Sequence, residues 1–185
     1  MPTSSLTATA VWRRNARAAL LLPALLSACQ ATQPAGPADN PELATYMQLI
    51  VPNRVKILSF TKPISIAGDG RADGIEAILA LYDVLDEETK AAGTFNFELQ
   101  SQPYPDRLGT RIGFWPVEIT TVEKMRSYRD KQSKFYRIPL QLESPPLPAG
   151  RYIMSVWLLL PTGQRLYDEY ELTYDGKGAP AINPP

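Results

Sequence analysis

The chain has 185 residues, with 19 basic and 19 acidic side chains, one cysteine and no histidine. Without histidine there is no Ser-His-Asp or Cys-His catalytic arrangement, no His-ligated zinc and no imidazole proton shuttle near neutral pH. A lone cysteine closes no disulfide within the chain, and balanced charge with no basic stripe argues against a nucleic-acid partner.

In chain order, residues 1–28 have the layout of an export leader. Arg13, Arg14 and Arg17 precede an apolar run from Ala18 to Leu26 that is interrupted by Pro23. A permanent membrane span needs about 20 apolar residues, and this run is far shorter. Leu26-Ser27-Ala28-Cys29 follows it, and here the sequence resembles the lipobox of bacterial lipoproteins: a branched apolar residue, two small residues, then cysteine. The resemblance implies cleavage before Cys29, which receives a thioether-linked diacylglycerol and becomes the first residue of the mature protein. A single acyl chain holds only marginally, at about 0.8 kcal/mol per buried methylene, whereas two or more hold stably. Arg13-Arg14 also fits a twin-arginine leader, but Asn15-Ala16-Arg17 lacks the apolar continuation, so the general secretory route is expected. Gln30 stands where an aspartate would, by the lipoprotein sorting rule, retain the protein at the inner membrane. The resemblance thus implies the periplasmic face of an outer membrane, or the outer leaflet of the plasma membrane in a single-membrane cell. Loss of the leader removes three arginines and no acid, leaving 16 basic and 19 acidic residues and a net charge of −3.

Residues 29–41 read as the lipidated cysteine and a tether, "QATQPAGPADNP" after Cys29, which spans up to about 40 Å when extended. Asn40-Pro41-Glu42 supplies an N-cap, a proline at the first helical position and an early acid, predicting a short helix over 41–50. Strand signals follow at 54–60, 74–85, 94–100, 111–120, 135–143, 151–160 and 164–174. The run 74–85 is apolar throughout, as a central strand would be, and Pro116 suits an edge or a bulge. In 94–100, Phe95, Phe97 and Leu99 alternate with Asn96, Glu98 and Gln100; the run 151–160 sends Tyr152, Met154, Val156, Leu158 and Leu160 inward. Pro161-Thr162-Gly163 joins the last two strands as an antiparallel hairpin, and Asp86-Glu87-Glu88 fits a solvated hairpin turn. The charged stretch 121–134 suits a helical turn between sheets. Residues 42–174 are therefore expected to form an all-β, seven-stranded antiparallel sandwich of immunoglobulin, fibronectin or transthyretin type, led by one short helix. Residues 175–185 are expected to be disordered.

Three motifs invite a chemical interpretation. In "GDGRADGIE" (68–76), Asp69, Asp73 and Gly74 occupy positions 1, 5 and 6 of a calcium loop, but Arg71 and Ala80 stand where oxygen ligands belong. Asp69, Asp73, Glu76 and Asp83 remain candidates for a noncanonical calcium site; the competing explanation is a Gly/Asp turn opening a strand. "SFTK" (59–62) matches Ser-x-x-Lys, yet Pro63 biases Lys62 away from a helix and no partner motif exists, so this match is chance. Trp115 and Trp157 are candidates for stacking on a sugar or gripping a peptide, against ordinary core packing. Through "ILSFTKP", "DGIE" and "LYD" the body is similar to secreted lipoproteins with sandwich domains, a likeness that carries no activity with it. The expected function is a lipid-anchored, non-catalytic binding or structural module with an envelope partner. Its rivals are a calcium-dependent carbohydrate- or peptide-binding module and a hydrolase pairing Asp73 with Asp83.

Overall fold

The computed structural model describes residues 40–182; the leader, Cys29 and the tether as far as residue 39 lie outside them. Helix α1 (Pro41–Ile50) has the expected bounds. The Asn40 carboxamide oxygen accepts from the backbone N–H groups of Glu42 and Leu43 at 3.0 and 3.1 Å, satisfying two donors that an uncapped helix leaves open. Val51 ends the helix in extended geometry, as the residue before Pro52 must.

The strands form two antiparallel sheets. In the first, β3 (Gly74–Tyr82) lies at the centre, with β6 (Tyr136–Gln141) on one side. β1 (Arg54–Ile57) and β2 (Lys62–Ile64) pair with successive halves of its other side. The sequence predicts one strand over 54–60; the structure instead breaks it after Ile57 and starts a second at Lys62. The break occurs because Thr61 takes the place of a ladder residue. Its buried hydroxyl accepts from Ile78 N–H at 3.0 Å, while Leu58 N–H donates to the Ile78 carbonyl at 2.8 Å. The second sheet runs β5–β4–β7–β8, with β4 (Gly93–Ser101) pairing with both β5 (Arg111–Ile119) and β7 (Gly150–Leu159). β8 (Arg165–Tyr174) closes its far edge, and Pro116 lies on the other edge strand, as expected.

Between the sheets, Phe95, Phe97, Leu99 and Val156 of the second sheet pack in one core with Ile75 and Ile138 of the first, all wholly buried. The Phe95 ring lies 5.5 Å from that of Tyr136 and 6.5 Å from that of Phe97. Each such side chain contributes about 1.5–3 kcal/mol by leaving water. Both lateral seams of the sandwich are joined by side chains. Asp168 of β8 accepts from Ile57 N–H of β1 at 2.7 Å, and the Trp115 indole of β5 donates to the Gln141 carbonyl of β6 at 2.7 Å. Trp115 lies so close over Gly113 that a Cβ there would be 2.3 Å from the ring, so only glycine fits.

Helix α2 (Val122–Tyr128) occupies the crossing from β5 to β6, where a helical turn was expected. The β7–β8 hairpin is also as expected, with Gly163 at φ +85°. Asp86-Glu87-Glu88 is exposed and lies in a tight reversal at the end of β3, where Tyr82 and Glu88 form an antiparallel bridge and Asp83 N–H donates to Glu87 O at 3.0 Å, although the chain then crosses to β4 in the other sheet. The C-terminal segment differs from expectation. Residues 175–182 do not hang free: Ser65 N–H donates to Pro180 O at 2.8 Å, Ala179 N–H to Gly70 O at 2.9 Å, and Ala179 is buried. Entering β7, Tyr152 hooks its hydroxyl back to the Pro148 carbonyl at 2.6 Å, holding the loop from β6 against the strand.

Candidate functional site

The four carboxylates proposed as calcium ligands do not converge. Asp69 accepts from the Ser65 hydroxyl and from Arg71 N–H at 3.1 and 2.9 Å. Asp73 accepts with one oxygen from Ile66 N–H at 2.5 Å and with the other from Ala67 N–H at 3.0 Å, clamping the turn before β3. Glu76 is buried on the outer side of β3 and forms an ion pair with Arg137 at 2.9 Å, with the Lys62 ammonium 3.9 Å away. Asp83 caps the turn beyond β3, accepting from Leu85 and Glu87 N–H. Asp73 and Asp83 flank opposite ends of β3, roughly 30 Å apart at the rise of a strand. That separation leaves the hydrolase pair without a shared site. Among the described residues no group of three or more acidic, histidine or cysteine side chains could hold a metal ion.

The two tryptophans also have separate positions. Trp115 is spent on the seam to Gln141. Trp157 faces outward from β7, on the side opposite Val156, as the two-residue strand period requires. There it stacks on Phe114 of β5 with ring centroids 5.7 Å apart and planes 27° from parallel, the two rings meeting across β4. Tyr167 of β8 lies directly opposite Trp157 in the ladder and is 60% exposed. Phe114, Trp157 and Tyr167 thus form an aromatic strip across the outer face of the second sheet. Tyr167 belongs to the C-terminal aromatic cluster visible in the sequence; Phe114 was not singled out there, although the strand period puts it on this face.

Polar groups border the strip. Tyr167 donates to Glu169 at 2.9 Å. The Ser155 hydrogen bond pulls the Tyr167 phenol down, but burial and the negative charges of Glu169 and Asp168 prevail, so its pKa lies above the ordinary value and the hydroxyl keeps its proton. The Arg111 guanidinium is 6.0 Å from the Phe114 ring, and Asn96 presents its carboxamide between Pro116 and Trp157.

No family model, curated protein or solved structure matches this chain.

The aromatic strip therefore stands on its own geometry. Flat rings bordered by amide, hydroxyl and carboxylate groups can stack on a sugar ring or hold an apolar peptide side chain. Strand ladders hold the rings in place, so ordering them on binding costs little. A concavity of about 580 Å³ lies outside the first sheet, with Phe60, Ile78 and Phe135 in its lining.

Proposed function

We propose that the protein is a lipid-anchored, non-catalytic binding module of the cell envelope, tethered through Cys29 and engaging an envelope partner through the outer face of its second sheet, β5–β4–β7–β8. The observation that carries this reading is the aromatic strip in which the half-buried Trp157 lies between the exposed Phe114 and Tyr167. The leader arginines, the apolar run and Leu26-Ser27-Ala28-Cys29 support the anchor. For the fold, the order of the two sheets and the Tyr152–Pro148 hook at the start of β7 support an immunoglobulin or fibronectin type.

The test is a cross-linking pull-down from native membranes with three forms of the chain: wild type, Cys29→Ala, and Trp157→Ala with Tyr167→Ala. A partner recovered with wild type and lost with both variants supports the reading. The same partner recovered in equal yield by the strip variant excludes this face as the docking surface. The second reading, a carbohydrate-binding module, draws on the near-parallel stacking of Trp157 on Phe114 and rests on stacking rather than on a calcium bridge. It predicts a rise in melting temperature with glycans that chelator leaves unchanged.

A further inference from the structure

The geometry points to a phosphate-binding site in the cavity between α2 and the start of β6, formed by Lys90, Arg126, Arg129, Lys131 and Lys134. The cavity has a volume of about 350 Å³, and these five cations line it with a single carboxylate, Asp130. That carboxylate is already engaged: its Oδ1 accepts from the N–H groups of Gln132 and Ser133 and from the Ser133 hydroxyl at 2.7–3.0 Å. Among the described residues none of the five cations makes an ion pair. Five cations against one carboxylate repel one another, and a bound anion would relieve that repulsion.

Two further observations favour a ligand over a merely solvated cationic face. The Arg129 Nε is buried and has no hydrogen-bond partner; such an orphan donor is costly, and a phosphate oxygen would complete the guanidinium fork. Lys134 is held at φ +65°, a left-handed conformation that a glycine would adopt without strain, and its ammonium donates to the Lys131 carbonyl at 2.8 Å, which keeps the charge at the cavity. Lys90 arrives from the β3–β4 crossover, far from the others in sequence. It is fixed there because its neighbour Ala91 exchanges hydrogen bonds with the buried Tyr136 hydroxyl at 3.1 and 3.3 Å. The ligand chemistry is a phosphate group, either on a soluble phosphorylated compound or on an anionic lipid headgroup. The site is independent of the aromatic strip.

The experiment uses the full chain carrying Cys29→Ala, so that no lipid of its own holds it to a membrane. It is titrated at fixed ionic strength with inorganic phosphate, with pyrophosphate, and with phosphatidylcholine vesicles lacking or containing phosphatidylglycerol. Saturable binding of phosphate or pyrophosphate assigns the site to soluble phosphorylated ligands; binding confined to the phosphatidylglycerol vesicles assigns it to headgroups. In either case Lys90→Gln with Lys131→Gln, both exposed positions, weakens binding about 25-fold, from about 1 kcal/mol per cation. Arg129→Gln weakens it further, and Lys134→Gly weakens binding while raising the melting temperature. Failure of every probe to bind, or equal binding by wild type and the Lys90/Lys131 variant, overturns the proposal.

Discussion

Tyr152 holds the loop into β7 through one hydroxyl, donated to Pro148 O at 2.6 Å. Tyr152→Phe keeps the ring in the core and removes only that bond, so a loss of about 1–1.5 kcal/mol is expected. It would show as a lower urea midpoint with an unchanged m value. Two aspartates link the fold to acid. The Arg71 N–H, with further help from the Ser65 hydroxyl, holds the Asp69 carboxyl below the usual 3.8, against the opposing effect of burial. The Ser133 N–H, followed by its hydroxyl, does the same for Asp130. Since both carboxyl pKa values are depressed in the folded state, their stabilisation is complete above 3.8 and is lost as pH falls through the lower folded values. Urea midpoints taken from about pH 6 down to pH 2 should fall below about pH 4. They should fall less steeply in Asp69→Asn with Asp130→Asn, and an equal slope would show that other groups govern acid unfolding.

Among the elements, the first sheet depends on a side chain acting as backbone. Thr61 fills the rung between β1 and β2 through its hydroxyl, so the isosteric Thr61→Val leaves Ile78 N–H buried without a partner. A loss of about 1–3 kcal/mol is expected, with faster amide exchange at Ile78 than in wild type as the local signature. Thr61→Ser keeps the hydroxyl and should retain most of the stability, which separates the hydrogen bond from packing. Within the second sheet, Trp157 stacks outward on Phe114 and takes no part in the inner packing. Trp157→Ala should therefore cost well under the 3–5 kcal/mol of a core aromatic while abolishing partner or glycan binding.

For the whole molecule, the seams and the C-terminal segment join parts that are remote in sequence. Asp168 reaches Ile57, Trp115 reaches Gln141, and residues 179–182 bond to Ser65 and Gly70. Ending the chain after Tyr174 removes the backbone bonds to Ser65 and Gly70 and uncovers a buried surface. A loss of about 2 kcal/mol is expected, measurable as a lower denaturant midpoint; an unchanged midpoint would show that the segment adds nothing to the fold. The same long-range assembly creates the cationic cavity, by bringing Lys90 to a cluster otherwise drawn from 126–134.

Much of the architecture is legible in the sequence because it rests on short-range physics. The Asn40 cap defines α1, the apolar stretch of β3 marks a strand covered on both faces, and strict alternation identifies β4 and β7 and turns Trp157 outward. Other features depend on contacts with no local signature. Nothing in residues 54–60 shows that Thr61 will replace a backbone partner, and nothing in the proline-rich tail shows a surface awaiting it. The spacing of Asp69, Asp73, Glu76 and Asp83 suggests a cluster, but a strand rises about 3.3 Å per residue, so β3 carries Asp73 and Asp83 apart. Local patterns set which residues face inward; only the order and register of the strands within the sheet decided which of the outward ones meet.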